Sequence, residues 1–261
     1  MVIVINMEGK KTVQVVFLGH YGQLERAKYL LRAFIPHKVY FLRNNTPFDS
    51  KGTENLADEM EKELKKELPR WVAEGSVDVI LPFFDFEKMF PEMVRIMAKE
   101  RAEGNEVIVN AHGSSMPASF ASVIAAALTG SKLYWAVPDH WEFKEVGKGK
   151  IAYPVGAKDA IEIKIPLMPE LPKSPDKDVL IYVLSKGGKA KGKLAEMSAD
   201  IGLKKLGANV KKSGSGIVKL SKIIKRLREG GHVTTRKVGR KSFEVELTDK
   251  GKMIAEVVSQ L

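Results

Sequence analysis

The chain of 261 residues has no cysteine, which removes disulfides, thiolate metal sites and cysteine nucleophiles from consideration. No apolar run approaches the ~18–20 residues that a membrane-spanning helix needs. The N-terminal MVIVIN is too short for the apolar region of a signal peptide with a cleavage site behind it. A cytoplasmic protein is therefore expected, with MVIVINMEGKK read either as an extra strand or as an extension ahead of a start at Met7. Histidine is scarce at five residues. His20, His37, His112, His140 and His232 show no metal-ligand spacing, so no metal is expected. The GxGxxG dinucleotide fingerprint and the GxSxG nucleophile elbow are both missing. The second strand ends in FLRNN with no acid to bind a ribose, so NAD is not expected.

Acidic charge is also short, but only in one place. Leu171–Leu261 carries 21 Lys and Arg against 9 Asp and Glu, a net of +12, while the whole chain is +11. Met1–Glu170 is thus close to neutral at −1. A near-neutral part joined to a strongly basic one implies that the second meets a polyanion.

What is present in the first part alternates. Strands are expected at Thr12–Gly19, His37–Asn44, Val77–Phe83, Glu106–Ala111 and Lys132–Pro138. Shorter ones are expected at Ile151–Val155 and Ile161–Ile165. Between them fall helices at Gln23–Phe34, Glu54–Leu68 (stopped by Pro69), Phe86–Arg101 and Pro117–Leu128. Such alternation implies an α/β domain: a Rossmann-like, mostly parallel sheet with helices on both faces. Four prolines between Pro166 and Pro175 mark a stiff linker, so the boundary is set at 170, with domains 1–170 and 171–261.

The second part reads as a small α+β domain. Ser174 caps a helix that has Pro175 at its first position and ends at Gly187. A second helix covers about Lys193–Asp200. In the third, Ile217, Leu220, Ile224 and Leu227 share one face, with Ser215, Lys219, Lys222 and Arg226 in a stripe opposite. Two strands, Val233–Val238 and Ser242–Thr248, flank a tip with Gly239, Arg240 and Lys241, before a last helix at Asp249–Ser259. This is the winged helix-turn-helix layout. The run Val218–Gly251, above all LREGGHV and LTDKG, resembles archaeal and bacterial winged-helix transcription regulators. Double-stranded DNA is the expected partner, held by Ser215, Lys219, Lys222 and Arg226 on the helix and by Arg236, Arg240 and Lys241 on the wing.

Two loops of the first domain lie where doubly wound sheets bind ligands, beyond the C-terminal strand ends. The first holds Gly19, His20, Tyr21, Gly22 and Gln23 ahead of a helix N-terminus. The second holds Asn110, His112, Gly113, Ser114 and Ser115. Each could equally be a plain turn or cap. His140 and Trp141, after the fifth strand, read as core or dimer contacts.

A sheet domain with these two loops, a linker and a winged helix resembles the CARF regulators, the CRISPR-associated Rossmann-fold proteins. Their second motif runs Asn, an apolar residue, Ser or Thr, then Gly, with a basic residue further on. Asn110 and Gly113 match, whereas His112 replaces the hydroxyl and Met116 stands where a cation is common. The resemblance implies a homodimeric, ligand-responsive transcription regulator that binds a cyclic oligoadenylate, typically cyclic tetra-adenylate, across its two-fold axis, with no other cofactor. Two alternatives stay open. One is a ring nuclease with His112 as base, although no acidic residue is near it in sequence. The other is a DNA-binding regulator whose sensor has lost its ligand.

Overall fold

The protein is described from a computed structural model, at residues 10–19, 23–45, 53–110, 112, 114–146, 149–164, 171–209, 214–239 and 242–261. The chain divides into two units, Met1–Pro169 and Glu170–Leu261.

Unit 1 runs β1 (Thr12–Leu18), α1 (Leu24–Ala33), β2 (Lys38–Asn44), α2 (Thr53–Lys65), α3 (Arg70–Glu74), β3 (Val77–Leu81) and α4 (Phe86–Ala102). It continues with β4 (Glu106–Asn110), α5 (Met116–Thr129), β5 (Lys132–Val137), β6 (His140–Val146), β7 (Gly149–Val155) and β8 (Asp159–Glu162). The sheet order is β3-β2-β1-β4-β5-β8. The first five strands are parallel, and β8 closes the edge antiparallel to β5. Continuous apolar strands such as VQVVFL are buried on both faces, as a parallel sheet requires. Val16, Leu18, Val39 and Phe41 pack against α1, α2 and α3. The opposite face is left to α4 and α5, which pack on each other.

The chain builds outward from β1 to β2 and β3, then returns to lay β4 on the other side of β1. The segments after β1 and β4 lead to helices on opposite faces, so the C-terminal ends of these adjacent strands form the switch-point crevice of the sheet. Gln14, fully buried on β1, fixes α1 beside that crevice. Its side-chain amide donates to the carbonyls of Leu30 (3.0 Å) and Phe34 (2.5 Å) at the far end of the helix.

Three expectations for unit 1 need correction. The helix expected to reach Leu68 stops at Lys65, and α3 follows Pro69. The strand expected at Ile161–Ile165 is Asp159–Glu162. His140 and Trp141 are not in the core. They begin β6, which pairs with β7 as a separate hairpin, and Trp141 and Phe143 are exposed on one of its faces. The alternation of polar and aromatic residues in HWEF is a strand signal that the dense charge of the segment masks.

Unit 2 runs α6 (Asp176–Ser185), β9 (Lys189–Lys193), α7 (Leu194–Ile201), α8 (Ser215–Glu229), β10 (Val233–Lys237), β11 (Ser242–Leu247) and α9 (Asp249–Gln260). Its sheet is antiparallel in the order β10-β11-β9. The core gathers Val179, Leu180, Val183, Met197, Leu220, Ile223, Leu227 and Val245 from helices and sheet alike. Ser174 does not cap α6: Pro175 occupies that position without a side-chain bond, and the helix ends at Ser185 rather than Gly187. The strand β9 was not expected, because KAKGK carries no apolar alternation of its own and is ordered by pairing with β11.

The LTDKG segment has a geometric reason. Thr248 accepts from the Gly251 N–H (3.0 Å) and donates to the Gly231 carbonyl (2.7 Å). This seats the start of α9 on the turn that follows α8. A β-carbon on Gly251 would lie 1.7 Å from the His232 carbonyl oxygen, so only glycine allows the approach. Among the described residues no helix is long and apolar enough to cross a membrane.

Replacing Gly251 by alanine should therefore cost about 1–3 kcal/mol through overpacking, and Thr248→Ala about 1 kcal/mol through loss of the cap. Urea unfolding of the full chain measures both. Faster amide exchange in α9 should accompany the loss.

Candidate functional site

The crevice between the β1 and β4 loops holds a cluster of polar groups that the protein itself does not satisfy. Asn110 ends β4 and is fully buried. Its side-chain oxygen accepts from the His112 N–H (3.3 Å), while its side-chain nitrogen has no partner. On the other side, Gln23 stands at the start of α1 without capping it, and its buried Oε1 is unpartnered.

Between them lies Arg26, which was not among the expected site residues. It is 4% exposed although it stands on the first turn of α1. Its Nη1 is 3.1 Å from His112 Nδ1, its guanidinium carbon is 5.8 Å from the centre of the Trp135 ring, and its Nε has no partner. No carboxylate pairs with it among the described residues. Burial alone lowers its pKa, without the compensating rise an acid would give.

His112 is the hub of the cluster. It is buried, with its ring 4.4 Å from that of Trp135. Its Nε2 lies 2.5 Å from the backbone nitrogen of Ala136, a β5 group beyond the last rung shared with β4. Burial, and then the charge of Arg26, hold the imidazole down to about 3, so it is neutral at ordinary pH. A neutral imidazole has one accepting nitrogen, yet both of its neighbours are donors. The crevice is therefore one acceptor short at His112, and the free Arg26 Nε and Asn110 Nδ2 add two further donors. Against these donors stands one unmet acceptor, Gln23 Oε1, so the balance favours an acceptor-rich, negatively charged group.

The serines of the second loop hold the loop together. Ser115 caps α5 by accepting from Ala118 N–H (3.3 Å), and its hydroxyl donates to the Phe83 carbonyl beyond β3. The Ser114 and Ser119 hydroxyls are 2.6 Å apart. Met116, where the resemblance leads one to look for a cation, is 74% exposed. Gly19 is exposed at the end of β1, while His20, Tyr21, Gly22 and Gly113 lie outside the described residues.

Helical spacing gives little hint of Arg26, because it stands at the margin of the apolar stripe of Leu24, Ala27, Leu30, Leu31 and Phe34, next to Leu30. It is buried because the β4 loop and Trp135 cover the first turn from above, and periodicity along one helix cannot register that. The only sequence signal is a lone cation near the N-terminus of a helix, where positive charge is disfavoured.

The second candidate surface is α8. Gly214 precedes it in the left-handed region, and Ser215 donates to the Asn209 carbonyl (2.6 Å). A β-carbon on Gly216 would lie 2.5 Å from a Leu203 methyl, so glycine sets how closely α8 meets the preceding turn. Lys219 and Lys222 are exposed and have no ion pair among the described residues. Two of the expected contacts are otherwise engaged. Arg226 makes a two-pronged bond to Asp176, with Nε 3.3 Å from Oδ2 and Nη2 on Oδ1, and so staples α8 to the start of α6. Arg236 pairs with Glu244 directly across the hairpin (3.2 Å). Arg240 and Lys241 lie outside the described residues.

Residues 12–141 match the family model described as HFX_2341_N:-like, N-terminal. Residues 176–259 match the DUF6293 C-terminal winged helix domain. No curated protein matches the chain. Among solved structures, Can2 from Sulfobacillus thermosulfidooxidans in complex with cyclic tetra-adenylate is similar at 10% identity and a TM-score of 0.38, over 95% of this chain and 63% of that one. Protein VC1899 from Vibrio cholerae is similar at 12% identity and a TM-score of 0.37, over 96% and 66%. Csm6 from Enterococcus italicus, bound to cyclic hexa-2'-fluoro-hexa-dAMP, is similar at 9% and 0.33, over 50% and 34%. The chain spans less than two thirds of each of these structures.

The burial of His112 has a consequence for stability. An unfolded histidine titrates near 6.5, and this one near 3 when folded. Between those values the unfolded chain takes up a proton that the folded chain refuses. The stabilisation is therefore whole above about pH 6.5 and is lost as pH falls toward 3, at roughly 1 kcal/mol per pH unit. Thermal melts across that range should show His112→Gln with a flatter acid limb than the wild type. Identical slopes would mean that His112 is protonated in the folded protein.

Proposed function

The chain joins an HFX_2341_N:-like N-terminal domain to a DUF6293-type winged helix domain, and from that premise we propose a homodimeric transcription regulator whose DNA binding answers to a nucleotide ligand. The observation that carries this reading is Arg26, a buried guanidinium with no counter-charge among the described residues, set among unsatisfied polar groups at the switch point of the sheet. An ion in that position is costly unless something pairs with it. A phosphodiester supplies both the charge and the acceptors, through charge-assisted hydrogen bonds. The resemblance of Asn110–Met116 to the second motif of the CARF regulators selects a cyclic oligoadenylate, cyclic tetra-adenylate first, among the anions that would fit. Arg26 would then take the part of the cation that Met116 does not provide.

The winged helix is the DNA reader in this proposal. Lys219 and Lys222 on α8 offer unpaired charge to phosphates, and Arg240 and Lys241 would extend the contact from the wing. Arg226 and Arg236, although exposed, are already paired with Asp176 and Glu244 in the free protein. The ring-nuclease alternative has no comparable support, since His112 is flanked by donors and by no carboxylate.

Titration calorimetry with cyclic tetra-adenylate tests the sensor. Binding is expected, with Arg26→Gln weakening it about 10- to 100-fold, the worth of one hydrogen bond to a charged group. No binding, or equal binding by the variant, would overturn the assignment. For the reader, log affinity for duplex DNA should fall linearly with log salt concentration. Lys219→Ala and Lys222→Ala should each reduce the slope by about 1, and Arg226→Ala should leave it unchanged.

A further inference from the structure

Val218 is out of place on α8. It is 57% exposed, one turn into the helix. The buried side of α8 is Leu220, Ile223, Ile224 and Leu227. At 100° per residue Val218 points almost directly away from that side, together with Lys222 and Lys225. Packing does not explain it, because the core lies behind it. Helix propensity does not explain it either, since valine is a poorer helix former than the lysines around it.

Its surroundings decide what could cover it. The outward face around it is cationic, with Lys219, Lys222 and Lys225 exposed, on a unit of net +11. That charge repels a basic protein surface and suits DNA. In a helix-turn-helix docking it is the N-terminal part of the recognition helix that meets base edges in the major groove. There the one apolar feature a base pair presents is the 5-methyl group of thymine. A β-branched side chain, stiff at its first torsion, loses little freedom on meeting it.

We propose that Val218 is a sequence-reading contact, packing on the 5-methyl group of a thymine in the major groove while the flanking lysines hold the phosphates. The inference rests on the DNA-reader assignment above and adds a base preference to it. Duplexes bound by the full chain are selected from a random-sequence library. A thymine should be enriched at a fixed position. Replacing it with deoxyuridine, which differs only by the methyl, should weaken binding about fourfold, the worth of one buried methyl-sized group. Val218→Ser should bind the thymine and uracil duplexes equally, and Val218→Thr, which keeps one methyl, should retain part of the difference. Val218 is neither in the core of its unit nor among the hydrophobic residues packed against that core, so the variants should fold, which circular dichroism checks. If salt-dependent DNA binding persists without thymine enrichment, or the wild type does not distinguish uracil from thymine, Val218 is not a base reader, although the DNA assignment survives. If no duplex is bound at any salt concentration, both fail.

Discussion

Arg26 carries a positive charge that is almost wholly buried and that no carboxylate among the described residues relieves. The C-terminal edge of the sheet is arranged around that charge. Gln14 fixes the far end of α1, so the helix cannot tilt to bring Arg26 to the surface. His112, held by Ala136 and tilted against the Trp135 ring, closes the other side. Ser115 ties the β4 loop to the end of β3. Each restraint comes from a different element, and together they keep the guanidinium pointed into the crevice. The charge is kept in place by the fold and left unneutralised by it, a combination that costs stability unless a ligand offsets it.

Much of the architecture was legible in the sequence because it depends on local pattern. Continuous apolar strands alternating with amphipathic helices can form little other than a doubly wound sheet. The reversal at β1 and β4 then places Gly19 and Asn110 at the ends of neighbouring strands. The winged helix was legible for a different reason: its signals are short and stereochemical. Gly251 has no substitute beneath the His232 carbonyl, and Thr248 is the cap that brings it there.

What was not legible depends on partners distant in sequence. The strand β9 reads as a basic loop until β11 lies beside it. The hairpin of β6 and β7 hides its alternation under charge. Ser115 reads as a simple cap, since its bond to Phe83 crosses 32 positions. Arg226 lies on the cationic stripe by helical geometry, but Asp176, 50 positions earlier, claims it. Arg26 is the extreme case, a cation at the flank of the apolar side of its own helix, one turn before Leu30, whose polar partner His112 lies 86 positions away.

Two cationic features among the described residues differ physically in a way that fits the separate tasks proposed for them. Lys219 and Lys222 are exposed, fully solvated charges. Their attraction to a polyanion is long-ranged, screened over about 8–10 Å at ordinary ionic strength, and indifferent to the shape of the target. Arg26 is a single charge in a closed setting. Salt screens it little, and it discriminates by geometry, because only an acceptor that reaches its nitrogens relieves it. Exposed charge gives strength of binding without selectivity, and buried charge gives selectivity. Hence a surface of the first kind needs something more to choose among sequences, and in the proposed docking Val218, the more exposed of the two apolar side chains at the start of α8, would provide it.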